Sequence, residues 1–377
     1  MTRRGSGEGT IRQRPNGLWE AQILLQGRRK SVYGRTRADV LEKLRQLQAG
    51  ASAGLPTPPA RLTVETFLQD RWLPAVEPRL RPRTVQHYRY MVRLLIGPEA
   101  GLGRVRLALL QSEQVEQALA RLQASGLSPR TCWHVRNVLR CALGDAIRWR
   151  VLAQNVAQVA DAPRIAHQPP RILTPEEAQA IIAAMPDRGL QRLVAVAVNT
   201  GLRQGELLGL RWPDMDLLQR ELHVTQALQR VAGRYELVEV KSTASRRTVP
   251  LTEAAVSALE DERRWQVEAR LAAGGRWHAP IPNLVFTTDR GQPRSASSIT
   301  HRFADALSAA GLPPMHWHHL RHAFAGLTLA SGSDLSTVSS LLGHTSVNLT
   351  ASTYAGVMPS LKRQAADRLG ALLQRPV

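Results

Sequence analysis

Residues 316–332 read HWHHLRHAFAGLTLASG. Four of the first seven positions are histidine, and Arg321 stands among them. Such a cluster either holds a metal ion or grips something negative, and that choice decides which fold to expect around it. His318 and His322 are four apart and share one helical face. A zinc-protease helix needs a Glu after its first His and a third ligand further on. Here His319 takes the Glu position, and no Cys cluster or acidic pair lies nearby. No metal is expected. The anion reading fits the residue types: His318 and Arg321 are three apart on one face of a helix start, and both donate to phosphate oxygens.

The chain as a whole shares that preference. Its 377 residues allow two or three domains, and they carry a formal charge of +20 with a pI near 11.3. That balance suits nucleic acid, where each neutralised phosphate releases counterions, better than a small metabolite. Only four of the 50 basic residues are lysines: Lys30, Lys43, Lys241 and Lys362. The two cysteines, Cys132 and Cys141, have neither zinc-type spacing nor a disulfide framework, which fits a reducing interior. MTRRGSGEGT offers no signal-peptide core, and no run of about 18 apolar residues is present to span a membrane. A soluble, cytoplasmic, nucleoid-associated protein with no membrane partner is expected.

Residues 8–50 contain GTIRQR, LWEAQILL and RRKSVY, separated by Pro15-Asn16-Gly17 and Gln26-Gly27. This predicts three short antiparallel strands, and RADVLEKLRQLQ then predicts a helix. Residues 1–50 hold eleven Lys/Arg against four Asp/Glu, and a small basic sheet can read a DNA groove. Arg12, Arg14, Arg28, Arg29 and Lys30 are its DNA-binding candidates; an ordinary solvated hairpin is the other reading. ASAGLPTPPA (51–60) reads as a linker.

Residues 63–160 read as helical throughout, with Thr63 and Ser128-Pro129 as helix starts and an apolar stripe through Cys132, Val135, Leu139 and Ala142. Arg79, Arg81, Arg83, Arg89, Arg93, Arg130, Arg136 and Arg140 are placed for polar faces and helix starts. Arg81, Arg83, Arg89, Arg130 and Arg136 are taken as the DNA-backbone candidates; solvated arginines on a bundle are the alternative. DAPRIAHQPPR (161–171) is a second linker, and Thr174-Pro175-Glu176-Glu177 is a capping box that opens the largest domain.

In that domain LQRLVAVAVNTGLRQGELLGLRW (190–212) predicts a buried helix, a Thr-Gly break and a second helix near Arg203. Glu206, three residues on, can hold the Arg203 guanidinium. RELHVTQAL, RYELVEV and RRTVPL predict three strands, with Lys241 at the turn between the last two. Arg keeps its proton and Lys can be tuned to release it, so a lone Lys in an Arg-biased chain is a candidate proton donor. SASSITHRFADALSAAG (295–311) predicts another helix. Gly343 ends a further helix, His344 follows, and Tyr354 comes ten residues later in a short helix beginning near Ser346. Val347 lies seven residues before Tyr354 on the same face, which puts the ring on the packed side.

TGLRQGELLGL with Arg203, VKSTASRRTVPL with Lys241, HHLRH with His318 and Arg321, LLGH with His344, and Tyr354 together resemble the catalytic domain of the tyrosine recombinases, the phage-integrase family. The resemblance covers roughly 172–360, and more loosely the segments before it. It departs at His319, where the family usually has Asp, a position outside its phosphate ligands. It implies a mainly α protein with small β-sheets: an arm-type DNA-binding domain at 1–52, a helical core-binding domain at 61–160, and a mixed α+β catalytic domain at 172–377.

It also implies a chemistry. Tyr354 attacks a DNA phosphate to leave a 3′-phosphotyrosine and a free 5′-hydroxyl; its phenol has an ordinary pKa of about 10, so the proton needs an acceptor, for which His318 is the hydrogen-bond partner or base. Arg203 and Arg321 fork onto the nonbridging oxygens, His344 adds a donor, and Lys241 protonates the 5′-oxygen. No cofactor and no ATP are required, because the covalent link keeps the phosphodiester energy. The implied partners are double-stranded DNA attachment sites and a homotetramer on DNA, with a directionality factor or DNA-bending protein as a further class. The helix predicted at 359–374 docks on a neighbouring protomer or on its own domain. A site-specific recombinase of a phage or mobile element is the leading reading; a type IB topoisomerase and a catalytically silent DNA-binding regulator are the alternatives.

Overall fold

The computed structural model describes residues 10–25, 28–52, 61–165, 173–231, 233–240 and 245–354, and the single positions 363, 366 and 370. Lys241, most of the 359–374 tail and the 51–60 linker beyond Ser52 lie outside the described residues. Two compact units divide the chain, Met1–Ala166 and His167–Val377.

Strands Thr10–Gln13, Trp19–Leu25 and Arg28–Gly34 form an antiparallel sheet in chain order, with helix Arg37–Ser52 against it. Their small core is Ala21, Ile23, Val40 and Leu44. A larger, separate cluster is built by helices Pro82–Ile96, Ser112–Ala124 and Pro129–Arg148. Thr63 and Ser128 cap their helices as the sequence predicts, and Cys132, Val135, Leu139 and Ala142 are all buried. Upstream, Phe67–Trp72 is a π-helical stretch. It leads into Pro74, which has no N–H and crowds the preceding turn, so the wider winding suits it.

In the second unit the capping box forms as read: Glu177 N–H donates to Thr174 Oγ1 at 3.2 Å, and Thr174 N–H to Glu177 Oε2 at 3.0 Å. The buried helix Arg188–Thr200 is packed between helices Glu253–Ala273 and His319–Ala330. A buried Arg192–Glu262 pair at 2.6 Å joins it to the first of these.

The strand prediction needs one correction. RELHVTQAL is not one strand but two in different sheets. Glu221–Val224 pairs with Arg247–Pro250 and with the short Met215–Asp216, whereas Gln226–Val231 forms a hairpin with Arg234–Glu239. Leu222 and Val224 point into the core beside Val249, and the break at Thr225 lets the chain leave that sheet and lay the hairpin against helix Gln204–Leu208. The approach there is close: a Cβ on Gly209 would lie 2.6 Å from the backbone nitrogen of Leu228.

Candidate active site

Three arginines converge on one helix end. Helix Leu335–Leu342 stops at Gly343, whose φ of 65° is the left-handed cap the sequence predicts. The last carbonyls of a helix have no intrahelical donor and carry its negative dipole end, so they attract cations. Arg247 Nε donates to Leu341 O at 2.6 Å, Arg321 Nη2 to Leu342 O, and Arg203 Nη2 to Gly343 O at 3.3 Å.

Glu206 completes the frame. Its carboxylate is 3% exposed and takes Arg203 Nη1 at 2.7 Å on one oxygen and Arg247 Nη2 at 2.9 Å on the other. Burial works to raise the Glu206 pKa, yet Arg247 and Arg203 together hold it below its usual range. Arg321, itself 3% exposed, is fixed from the far side by Gly201 O at 2.7 Å. Burial first, then Arg203, push its pKa down to about 9, which leaves it charged at neutral pH. Three guanidiniums against one carboxylate leave a surplus of positive charge in a partly desolvated site.

The imidazoles lie beside them. His318 stands at the N-cap position of helix His319–Ala330, without a side-chain capping bond, and is exposed; partial desolvation, then Arg321 and Arg203, lower its pKa. His344 Nδ1 is 2.8 Å from Thr350 Oγ1, a buried hydroxyl that fixes the ring. Desolvation and the charges of Arg321, Arg203 and Arg247 push His344 down to about 4.

Tyr354 is 1% exposed. It follows the last turn of helix Val347–Thr353, and Phe324, Ala325, Leu329, Val338 and Leu342 form the core around it. The ring lies on the packed side as expected, but not through a stripe with Val347, which is exposed; Tyr354 stands at the C-cap of the helix and is buried by the cluster just named. Its hydroxyl partner also differs from expectation. Tyr354 Oη is 2.8 Å from His322 Nδ1, not from His318, whose ring meets His322 edge-on at 4.9 Å. His322 lies one turn further along the same helical face than His318, where Tyr354 meets it, while His318 stays at the exposed N-terminal end.

Arg203, His318, Arg321, His344 and Tyr354 are thus brought together; Lys241 lies outside the described residues. Sequence reading missed Arg247 and the contact between His322 and Tyr354. A signal for Arg247 existed, since it alternates with buried Val249 on strand Arg247–Pro250, so a charge at an inward position was legible. Among the described residues no group of three or more His, Cys, Asp or Glu is arranged to hold a metal ion.

The DNA-binding candidates divide. Arg12 and Arg14 both pair with the fully buried Glu20, at 2.9 Å each, and Arg14 lies over the Tyr33 ring. Arg29, Arg81, Arg83 and Arg130 are exposed, and Arg89 is exposed but held by both oxygens of Glu77. Arg136 instead spends its guanidinium on the carbonyls of Ala160 and Gln158, which ties helix Pro129–Arg148 to the end of helix Val156–Val159 and makes its use structural. The side chains of Arg28 and Lys30 are outside the described set.

Fixed guanidiniums and imidazoles around a phenol suit a phosphodiester anion and define the class as an enzyme of phosphoryl transfer. The chain belongs to the phage integrase family, whose sequence model matches residues 171–360, and is a tyrosine-type site-specific recombinase. A XerC-like tyrosine recombinase of Caldanaerobacter subterraneus is 29% identical over 91% of this chain and 92% of its own length. An integrase of Saccharopolyspora erythraea is 27% identical over 98% and 97%. Among solved structures, the Tn1549 transposon integrase in complex with a circular intermediate DNA superposes with a TM-score of 0.69 at 20% identity, covering 82% of this chain and 99% of that one. A lambda integrase dimer bound to a core site gives 0.58 at 20% identity, over 94% and 96%. With recombinases and integrases as relatives, the topoisomerase and silent-regulator readings fall away.

Proposed function

We propose that this chain is the integrase of a mobile element, that Tyr354 is its nucleophile, and that residues 1–52, 61–160 and 172–377 are its arm-binding, core-binding and catalytic domains. The convergence of Arg203, Arg247 and Arg321 on three successive carbonyls carries the reading. It gathers fixed positive charge beside the phenol, with Arg247 spent on Leu341, Ser245 and Glu206 as a brace and Arg203 and Arg321 as the donors for a phosphate on which negative charge builds. Tyr354 joins the phosphorus, the 5′-oxygen leaves with a proton from Lys241, and a 5′-hydroxyl from a partner duplex reverses the step.

Two duplexes exchanged this way need four tyrosines, so the working form is a homotetramer on paired attachment sites; a lambda integrase tetramer bound to a Holliday junction, of the same fold, supports this. A directionality factor or DNA-bending protein is proposed as an accessory partner. The nucleoid is the proposed location, and no helix among the described residues is long and apolar enough to cross a membrane. The test is a nicked suicide substrate carrying the element's attachment site. The native chain forms a covalent protein–DNA adduct, and Tyr354→Phe forms none while still shifting the DNA in a gel. An adduct that survives Tyr354→Phe overturns the assignment.

A further inference from the structure

We propose that His322 is a catalytic residue, accepting the phenolic proton of Tyr354 at Nδ1 during attack and returning it when the phosphotyrosine is resolved. The inference rests on Tyr354 being the nucleophile. The contact carries it: Tyr354 Oη and His322 Nδ1 are 2.8 Å apart, within the reach a general base needs. Proton balance follows. The Oη–phosphorus bond forms as the O–H bond breaks to His322, the phosphorus–O5′ bond breaks, and O5′ takes its proton from a different donor. In the reverse step Oη leaves and recovers the same proton.

The phenol's hydrogen-bond partner is not His318, which occupies the N-cap position at the exposed end of helix His319–Ala330 with its ring 4.9 Å from that of His322. His322 is half-buried one turn further on, with its Nδ1 committed to the phenol.

The surroundings explain why the pair rests uncharged. His322 faces His318, His319 and Arg321 from its own helix, His344 from the loop after helix Leu335–Leu342, and Tyr354. Desolvation, then these neighbours, push its pKa down to about 4, while burial raises Tyr354 to about 12. Without DNA the proton therefore stays on the phenol. A phosphodiester bound at Arg203 and Arg321 brings the missing negative charge, which stabilises an imidazolium at His322, and bonding to phosphorus acidifies the phenol. Substrate arrival is thus what makes the nucleophile competent.

The test is single-turnover adduct formation by the full chain on a suicide substrate. His322→Asn keeps a hydrogen-bonding atom near the Nδ1 position without its basicity. We expect it to slow adduct formation by about 100-fold or more, the scale of a lost general base, while gel-shift affinity is retained. Trifluorotyrosine at position 354, whose phenol ionises more readily, should recover much of that loss and help the native background far less. If His322→Asn reacts within a few-fold of native, or fluorination gives both backgrounds the same factor, the base role is wrong. A measurement without substitution at 322 uses a 5′-bridging sulfur substrate, whose leaving group needs no acid. The native chain should show a normal solvent deuterium isotope effect that disappears with trifluorotyrosine, and its absence overturns the proposal. A native chain with no Tyr354-dependent adduct sinks the nucleophile assignment as well, whereas a normal native adduct beside an unaffected Asn variant sinks only the role of His322.

Discussion

Arg247 reaches Glu206 with its Nη2 at 2.9 Å from Oε2, across 41 positions of sequence and with both side chains 5% exposed or less. The pair connects strand Arg247–Pro250 to helix Gln204–Leu208, whose N-cap is Arg203. Breaking a buried pair by removing one partner leaves an uncompensated charge, at a typical cost of about 3–5 kcal/mol. Glu206→Gln should therefore lower the urea midpoint by a corresponding amount and reduce adduct formation, because Arg203 loses its lateral support. The acid limb provides a second reading. The folded pKa of Glu206 is depressed, so its contribution is complete above the unfolded carboxylate value and disappears as pH falls through the lower folded value. Glu206→Gln should flatten the acid limb in urea titrations run across that range.

The imidazoles act with the same sign at higher pH. His322 and His344 each rest at about 4 in the folded chain, against about 6.5 when unfolded. Below the unfolded value the unfolded chain takes up protons that the folded site refuses, so stability declines from about pH 6.5 towards about 4 and is complete above that window. Thermal melts of the DNA-free protein should show this decline, and a His322→Gln/His344→Gln double variant should show a shallower one. An unchanged slope in the double variant would remove these two rings as its source.

Gly201 sits at φ +62°, its carbonyl accepts a hydrogen bond from Arg321, and a Cβ there would lie 2.3 Å from Phe324 Cδ1. Gly201→Ala is therefore strained in backbone and packing alike. We predict a loss of at least about 2 kcal/mol in urea denaturation, on the scale of overpacked cores, and a drop in cleavage larger than the drop in DNA affinity.

Lys241→Arg should cut cleavage of an ordinary substrate sharply, because Arg is a poor acid. A 5′-bridging sulfur, which leaves as a thiolate, should restore cleavage by that variant. Persistent inactivity on the sulfur substrate would refute the acid role.

Exposed and structural arginines should separate by salt dependence. Arg83→Ala or Arg130→Ala should reduce the slope of log affinity against log salt by about 0.9 for each phosphate that the variant no longer neutralises. Arg136→Met should leave that slope intact and lower stability instead, since its guanidinium serves Ala160 and Gln158.

Local signals carried much of this structure. The caps at Thr63, Ser128 and Thr174, the turns at Gly17 and Gly343, and the apolar stripe of helix Pro129–Arg148 depend on residues close in sequence, and all were legible. Helix Glu253–Ala273 was not assigned, because it buries only Ala255, Leu259 and Glu262 and leaves Val267 and Leu271 in solvent, so its apolar period is blurred. The Thr225 break was hidden because alternation continues on both sides of it while the partner strand changes. At the site, residue types and order pointed to Arg203, His318, Arg321, His344 and Tyr354. The choice between His318 and His322 as partner of the phenol depends on how helix Val347–Thr353 returns to helix His319–Ala330, a long-range packing fact that spacing does not encode.

Helix Leu335–Leu342 acts as the keystone of the catalytic unit. Its end receives side chains that arrive from positions 203, 247 and 321, so the three share one set of acceptors. Each guanidinium also keeps a second anchor, Glu206 for Arg203 and Arg247 and the Gly201 carbonyl for Arg321, so this one helix end is where three separately tethered cations acquire a common register.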